Sequence, residues 1–251
     1  DRRSRLTLKL KFMIQRWFFL YTDRYIVELE HVKDRLVDIG LAKPEDVDVV
    51  YNTLPDIYST PEKWKVLDFS TKKQVGAFCI GFLGRDYLHK NLGLLPAVSE
   101  ILLGVYRVDV QFFVTLTDDE WANRSTEFKR IAVNVGPLTM AECPSFYEQL
   151  DGVIFPSLLE CFSVTPLEAM AMGKPLFSSD RRFVRDVCND YPFYFDPLDA
   201  NSVASSIVNY LNNRATYETR LLNAKRLAYG FSSARKRADS YLRIIRNCLD
   251  Y

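Results

Sequence analysis

The sequence predicts an α/β fold in which a parallel sheet carries helices on both faces. From residue 75 onward, short apolar runs alternate with segments whose apolar residues recur at helical spacing. One run, Gly152–Phe155, is apolar throughout, as expected of a strand buried on both faces. With 48% hydrophobic residues in 251, the chain can bury a sizeable core in one large domain or one and a half. This alternation is typical of Rossmann-like folds.

The composition excludes several classes of function. A net charge of +1 gives no overall attraction for nucleic acid, so no nucleic-acid partner is expected. The five cysteines lack Cys-x-x-Cys spacing and only two histidines occur, so neither a disulfide framework nor a zinc site is indicated. No apolar run of about 18 residues and no secretory signal are present. We therefore expect a cytoplasmic protein without a metal.

The individual elements follow from the periodicity. Strands are predicted at 25–29, 47–51, 75–83, 110–116, 131–135, 152–155, 174–178 and 193–195. Helices are predicted at 4–21, 31–39, 92–103, 118–129, 139–150, 180–189 and 202–212, with a long helical segment at 215–249. Residues 56–74 have a mixed polar composition with flanking prolines, which favours a linker.

The first helix is basic and carries aromatic residues. Its apolar positions are Leu6, Leu10, Met13, Trp17 and Leu20, and its basic residues are Arg2, Arg3, Arg5, Lys9, Lys11 and Arg16. Such a helix can lie on an anionic membrane at the inner face of the cell. The alternative is a helix that packs on its own domain with its charges outward.

Two glutamates follow the strand Gly152–Phe155. Glu160 lies in the loop, and Glu168 lies one turn into the next helix, with seven residues between them. A helix N-terminus suits a phosphate, and a carboxylate near it can accept hydrogen bonds from a ribose diol. The spacing therefore predicts a nucleotide-type site. Two simpler interpretations stay open, because Glu168 also fits a capping box begun by Thr165 and Glu160 could be a solvated loop residue.

This segment resembles the signature of the large retaining glycosyltransferase family called group 1, or family 4, which has a GT-B fold. The family pattern is Pro-Ser-x-x-Glu-Gly-Phe-Gly-x-x-x-x-Glu-Ala-Met-Ala-x-Gly-x-Pro. The chain keeps Pro156, Ser157, Glu160, Phe162, Glu168, Ala169, Met170, Ala171, Gly173 and Pro175. It departs at Cys161 and Ser163, where glycine is usual, so the fit of the donor groups there differs from the family's.

The resemblance implies a domain organisation. Residues 1–55 would be the end of a truncated N-terminal, acceptor-binding domain, and 56–74 would be the linker. Residues 75–213 would be the nucleotide-sugar-binding domain, in other words the C-terminal half of a GT-B fold. Residues 214–251 would be closing helices that cross back to the N-terminal domain. Such a fragment would be inactive without the rest of its acceptor domain.

The resemblance also implies roles for particular residues. Gly81–Asn91 contains a Gly-Arg pair and a lysine five residues after the arginine, a weak signal alone because basic loop residues are mostly solvated. In the family such residues bind the donor's phosphates. The implied catalytic residues are Arg85 and Lys90, at the departing diphosphate, and Glu160, near the anomeric carbon. The implied donor-binding residues are Glu168 at the ribose, Leu138 at the base through its backbone, and Gly84, Phe162, Ser163 and Val164.

The predicted function is transfer of a sugar from a UDP- or GDP-sugar to an acceptor hydroxyl with retention, in polysaccharide or glycoconjugate synthesis. The expected partners are that donor and a glycan or lipid-linked acceptor, with no cofactor. Alternatives are a non-catalytic nucleotide-sugar-binding module, a nucleotide-sugar epimerase and a phosphorylase-like transferase. A dehydrogenase is disfavoured because no Gly-x-Gly-x-x-Gly follows a strand. His89 and Cys161 are interpreted as ordinary loop residues.

Overall fold

The computed structural model describes residues 2–249, with side chains from residue 7 onward. The chain divides into two compact units. The smaller contains residues 1–52 and 234–251, and the larger contains residues 53–233.

The elements of both units are labelled in chain order. The strands are β1 (Tyr25–Val27), β2 (Val47–Val49), β3 (Phe78–Phe82), β4 (Val110–Val114), β5 (Ala132–Asn134), β6 (Gly152–Phe155), β7 (Leu176–Ser179) and β8 (Phe193–Phe195). The α-helices are α1 (Arg2–Phe19), α2 (Glu30–Asp38), α3 (Leu95–Gly104), α4 (Asp118–Ala122), α5 (Thr126–Ile131), α6 (Cys143–Glu148), α7 (Thr165–Ala171), α8 (Arg182–Cys188), α9 (Ala200–Asn212), α10 (Glu218–Gly230) and α11 (Ala234–Leu249).

The larger unit is built on a six-stranded sheet in the order β5-β4-β3-β6-β7-β8, and every pairing is parallel. From β3 the chain moves outward through β4 to β5, and it then returns to place β6 on the other side of β3. The strand order therefore reverses between β3 and β6. The two central strands, β3 and β6, are apolar throughout, as expected when helices cover both faces of a sheet. The predicted α/β class is confirmed.

The core on one face of this sheet joins β3 and β7 to α3 and α9. Phe177 of β7 is fully buried there, and its ring lies against the rings of Phe78, Phe193 and Tyr210 at centroid distances of 6.4, 5.7 and 5.7 Å. Aromatic side chains bury more apolar surface than any other type, so this cluster contributes strongly to the stability of the unit.

One predicted helix is wrong in detail. The sequence predicts a single helix at 118–129, but the structure has α4 and α5, separated by three residues. Each begins with its own side-chain cap, because Thr117 accepts from the Glu120 amide and Ser125 accepts from the Phe128 amide. Two caps eight residues apart each favour a helix start, so the segment forms two short helices.

The smaller unit contains the parallel pair β1 and β2 together with α1, α2 and α11. Within it, Arg237 of α11 forms an ion pair with Glu28 at 2.6 Å. Residues 56–74, predicted as a linker, lie in the larger unit and contain three short 3-10 helices. Tyr58 and Phe69 of this segment are buried. The predicted roles of the domains and of the linker stay predictions.

Many side chains of α1 are exposed, including Phe12, Met13 and Trp17. The side chains of Arg2, Arg3, Arg5 and Leu6, on which the membrane prediction partly depends, lie outside the described residues. Among residues 2–249, no helix combines the length and the apolar character needed to cross a bilayer.

The aromatic cluster leads to a stability prediction. We expect Phe177→Ala to lower the free energy of unfolding by about 3–5 kcal/mol, because it opens a cavity in a closely packed core. Leu198→Ala, at a side chain that is 71% exposed, is the matched control and should change it by less than about 0.5 kcal/mol. Urea unfolding monitored by circular dichroism measures both. Equal midpoints for the two variants would contradict the assignment of this core.

Candidate functional site

The candidate site lies at the carboxyl ends of β3 and β6, where the strand order reverses. In open parallel sheets, ligands bind in the crevice that forms at such a reversal, because the loops on its two sides diverge. Here the loop after β3 carries Arg85 and Lys90, and the loop after β6 carries Glu160. The topology thus brings the two predicted motifs to neighbouring loops of one sheet edge.

The two loops contact each other directly. The Leu158 amide donates a hydrogen bond to the His89 carbonyl oxygen at 2.7 Å. Lys90 Nζ lies 2.6 Å from Glu160 Oε1, and both side chains are almost buried. The two charged atoms meet at ion-pair distance without a well-aligned hydrogen bond. The ammonium also lies 5.5 Å from the centre of the Phe155 ring. Two predicted catalytic residues therefore form one pair.

Arg85 has a different partner. Its Nε lies 2.7 Å from Glu120 Oε1, and the same oxygen accepts from the Asp86 amide at 3.1 Å. Glu120 belongs to the capping box of α4, in which its other oxygen accepts from the Thr117 amide. Partial burial favours the protonated form of Glu120, but hydrogen bonds from Thr117 and Arg85 outweigh it and hold the pKa below its usual value. The Arg85 side chain stays 55% exposed, so a ligand can reach it.

Glu168 occupies the first turn of α7. It does not form the capping box that its spacing allowed, because the residue before the helix is Val164 and no side chain caps the helix. Instead, Glu168 Oε2 accepts a hydrogen bond from the Tyr147 hydroxyl at 2.9 Å. Desolvation raises the pKa of the Glu168 carboxyl above 4.5, and interactions with the hydroxyls of Tyr147 and Tyr58 partly offset the shift. Of the seven residues of α7, only Glu168 is not fully buried.

The remaining predicted donor-binding residues lie in loops at the same sheet edge. Gly84 has φ +152°, but its amide already donates to Thr115 Oγ1 at 3.0 Å. A phosphate could use that amide only by displacing Thr115. Leu138, after β5, is half-buried. The half-buried residues Phe162, Ser163 and Val164 precede α7. Their roles stay predictions.

Several residues at this edge were not found from the sequence. Glu120 holds Arg85, and the signal that could have found it is its capping-box spacing from Thr117. Tyr147 holds Glu168, but no pattern joins residues 21 apart on different elements. His89, interpreted as an ordinary loop residue, is partly exposed, and its Nε2 lies 3.9 Å from Glu160 Oε1. Cys161 is exposed.

The described side chains include no group of three or more His, Cys, Asp or Glu that could hold a metal ion. The positive charges near the crevice come from Arg85 and Lys90, each paired with a glutamate. The prediction that the reaction needs no metal stays a prediction.

Comparison with known proteins identifies the larger unit. Residues 118–227 match the family model described as Glycosyl transferases group 1. Over these residues the chain is similar to group 1 glycosyltransferases. The motif-based recognition is therefore confirmed at the level of this group, whereas the retaining, family 4 assignment stays a prediction.

A curated relative and two solved structures are similar to most of the chain. The O-antigen chain mannosyltransferase RfbU of Salmonella typhimurium is 23% identical over 209 residues, which cover 80% of this chain and 53% of RfbU. The sucrose-phosphate synthase of Thermosynechococcus elongatus superposes with a TM-score of 0.75 at 16% identity, over 96% of this chain and 62% of that one. Anabaena HepE in complex with UDP and glucose superposes with a TM-score of 0.72 at 16% identity, over 90% and 64%.

These comparisons confirm the predicted fold, the C-terminal half of a GT-B glycosyltransferase. The chain spans about half the length of the curated relative and less than two thirds of each of the two solved structures.

The burial of Glu168 leads to a prediction about pH. Because its pKa is raised on folding, the stability that Glu168 contributes is complete below about pH 4.5 and is lost as the pH rises through the folded-state pKa. Glu168→Gln cannot ionise and does not lose this stability. We therefore expect Glu168→Gln to become more stable relative to the unmodified protein as the pH rises from about 4 to about 8.

Urea unfolding over this pH range measures the difference. Glu62→Gln, at an exposed position, controls for the removal of one carboxyl group. Parallel stability curves for the unmodified protein and Glu168→Gln would show that Glu168 has the same pKa in both states.

Proposed function

We propose that this chain is part of a glycosyltransferase that moves a sugar from a nucleoside diphosphate sugar to an acceptor hydroxyl, with retention of the anomeric configuration. The observation that carries the proposal is the contact between the loops after β3 and β6. It places Lys90 and Glu160 together at the reversal of strand order, within a fold whose group 1 segment is recognised independently.

Each charged group has a role in the proposed reaction. As the bond to the diphosphate breaks, negative charge grows on the departing oxygens, and Arg85 and Lys90 stabilise it. Both cations are held by glutamates before the donor arrives, so they are oriented in advance and little reorganisation is needed. Glu160 orients the donor sugar by accepting hydrogen bonds from its hydroxyls, and Glu168 accepts hydrogen bonds from the ribose.

The comparisons support the class of substrate. HepE is described in complex with UDP and glucose and in complex with UDP-glucose, and a mutant of Staphylococcus aureus TarM is described in complex with UDP. Each of these structures is 16% identical to this chain, which covers only part of its length. RfbU is described as an O-antigen chain mannosyltransferase. We infer a UDP- or GDP-sugar donor, a glycan or lipid-linked acceptor, and a place in polysaccharide synthesis.

The basic, aromatic helix α1 supports a further part of the proposal. In its described portion, Phe12, Met13 and Trp17 are exposed beside Lys9, Lys11 and Arg16. A surface of this chemistry can bind an anionic membrane, which would bring the protein close to a lipid-linked acceptor. A cytoplasmic location is part of the same proposal.

Isothermal titration with UDP-glucose and with GDP-mannose tests donor binding. We expect Arg85→Ala and Glu168→Ala each to weaken binding of the preferred donor by roughly tenfold or more, because each removes a hydrogen bond that involves a charged group. Lys72→Ala is the control, since this exposed lysine precedes β3 at the opposite edge of the sheet. Undiminished binding in both site variants would remove the basis for the assignment.

Product analysis separates the proposed reaction from its alternatives. With a donor and an acceptor sugar present, a transferase releases nucleoside diphosphate and forms a glycoside. An epimerase would change the donor sugar without an acceptor, and a binding module would change neither.

A further inference from the structure

Two tyrosines approach the carboxylate of Glu168 from inside the larger unit. Tyr147, on α6, is fully buried and donates its hydroxyl hydrogen to Glu168 Oε2 at 2.9 Å. Tyr58, from the segment before β3, is 2% exposed, and its ring centroid lies 6.2 Å from that of Tyr147. Neither tyrosine belongs to the motif that predicted the site.

We propose that Tyr147 is a positioning residue which, with Tyr58 as a second donor, holds Glu168 in the orientation and charge state that accept the nucleotide's pentose. The inference rests on the proposed function, because it gives the nucleotide-binding role of Glu168 a structural cause. Neither tyrosine is placed in contact with the substrate.

The first part of the argument concerns orientation. An ionised carboxylate has about four lone-pair positions on its two oxygens. Tyr147 occupies one position on Oε2, which fixes the rotation of the carboxylate and leaves Oε1 and one position on Oε2 for other donors. A pentose diol supplies two hydroxyl donors from adjacent carbons. When Tyr58 takes a second position, about two acceptor positions remain, one for each hydroxyl of the diol.

The second part concerns charge. The groups that face Glu168 from the elements packed around it are the hydroxyls of Tyr147 and Tyr58, with the thiol of Cys143 nearby. Burial, reinforced by the charge of Glu168, raises the pKa of Cys143 to about 12 and raises the pKa of both tyrosines. All three stay neutral at physiological pH, and no charged group among the described residues contributes to the pKa shift of Glu168. Hydrogen-bond donation from the tyrosines is what offsets its desolvation.

Tyr58 differs from Tyr147 in one respect. Its hydroxyl is close enough to lower the pKa of Glu168, yet it makes no well-aligned hydrogen bond and is buried. Its backbone oxygen is fixed by a hydrogen bond from the Tyr229 hydroxyl at 2.9 Å. A buried donor without an aligned partner costs free energy, so a small rotation toward Glu168 would be favourable. Tyr58 can thus strengthen its interaction with Glu168 when the carboxylate carries full charge.

The test is the pH dependence of donor binding. UDP-glucose and GDP-mannose are suitable probes, because a diphosphate diester keeps the same charge over the range from about pH 5 to about pH 9. Tyr147→Phe removes the donated hydrogen bond while keeping the ring, so protonation of Glu168 should end binding at a higher pH. We expect this variant to bind roughly tenfold or more weakly than the unmodified protein near the acidic end and within about threefold near the alkaline end.

The controls isolate the hydroxyl and the carboxylate. Tyr210→Phe removes the hydroxyl of another buried tyrosine, one that packs on β7 and β8, and should leave the pH profile unchanged. Glu168→Gln should weaken binding and remove the titration, and adding Tyr147→Phe to it should produce no further pH shift. Tyr58→Phe should shift the pH dependence of donor binding in the same direction as Tyr147→Phe, but by a smaller amount. If Tyr147→Phe does not fold, Tyr58→Phe replaces it in the test.

The outcomes separate this inference from the proposed function. If donor binding is lost at a higher pH in Tyr147→Phe than in the unmodified protein, and Tyr210→Phe shows no such change, the positioning role is supported. Binding that Glu168→Gln weakens, while Tyr147→Phe leaves it unchanged or weakens it equally at every pH, overturns the positioning role and leaves the role of Glu168 intact. Equal donor binding by the unmodified protein and Glu168→Gln overturns the assigned site, and with it this inference.

Discussion

The close parallel pairing of β3 with β6 is the constraint on which the site depends. Ile80 lies opposite Gly152 and Gly81 opposite Val153, so the strands end side by side and their loops meet. Both positions favour glycine, because neighbouring side chains occupy the space that a Cβ would need. A Cβ on Gly81 would lie 2.1 Å from a methyl carbon of Leu150, and one on Gly152 would lie 2.9 Å from the Phe177 ring. The glycines let the covering side chains lie close to the sheet, and the pairing of β3 with β6 brings the loops of Lys90 and Glu160 together.

The charges at this sheet edge are arranged in pairs before any ligand binds. Lys90 is held by Glu160 and Arg85 by Glu120, so the free protein does not expose unpaired cations in a partly dehydrated crevice. In the proposed reaction a diphosphate competes with these glutamates, and the pairing therefore lowers its net affinity. In return the cations are fixed in position when charge develops on the leaving group, which is the condition under which electrostatic stabilisation is most effective. The same pairs disfavour ligands that bring less charge than a diphosphate.

The sequence predicted those parts of the structure that depend on local pattern. The strand Gly152–Phe155 is predicted within its observed bounds because it is uniformly apolar. The family resemblance, and not local pattern, assigns Lys90 and Glu160 to one donor site. Contacts between side chains of distant elements were not predictable. The spacing of Thr165 and Glu168 fits a capping box, but tertiary packing directs Glu168 to Tyr147 instead. The break between α4 and α5 is not visible in the helical pattern of 118–129, because it depends on the cap that Ser125 forms.

The position of Glu168 on α7 connects stability with function. The other six residues of this helix are buried, so an apolar residue in place of Glu168 would avoid the cost of desolvating a carboxylate. The protein instead keeps the acid, supplies it with a buried tyrosine donor, and leaves the residue partly accessible. A carboxyl group with a raised pKa and a dedicated hydrogen-bond partner is typical of a ligand site and not of a structural core. A second tyrosine, Tyr58, is held near the same carboxylate without an aligned partner of its own, which extends this arrangement. A local loss of stability at Glu168 is consistent with the donor-binding role that we propose for this residue.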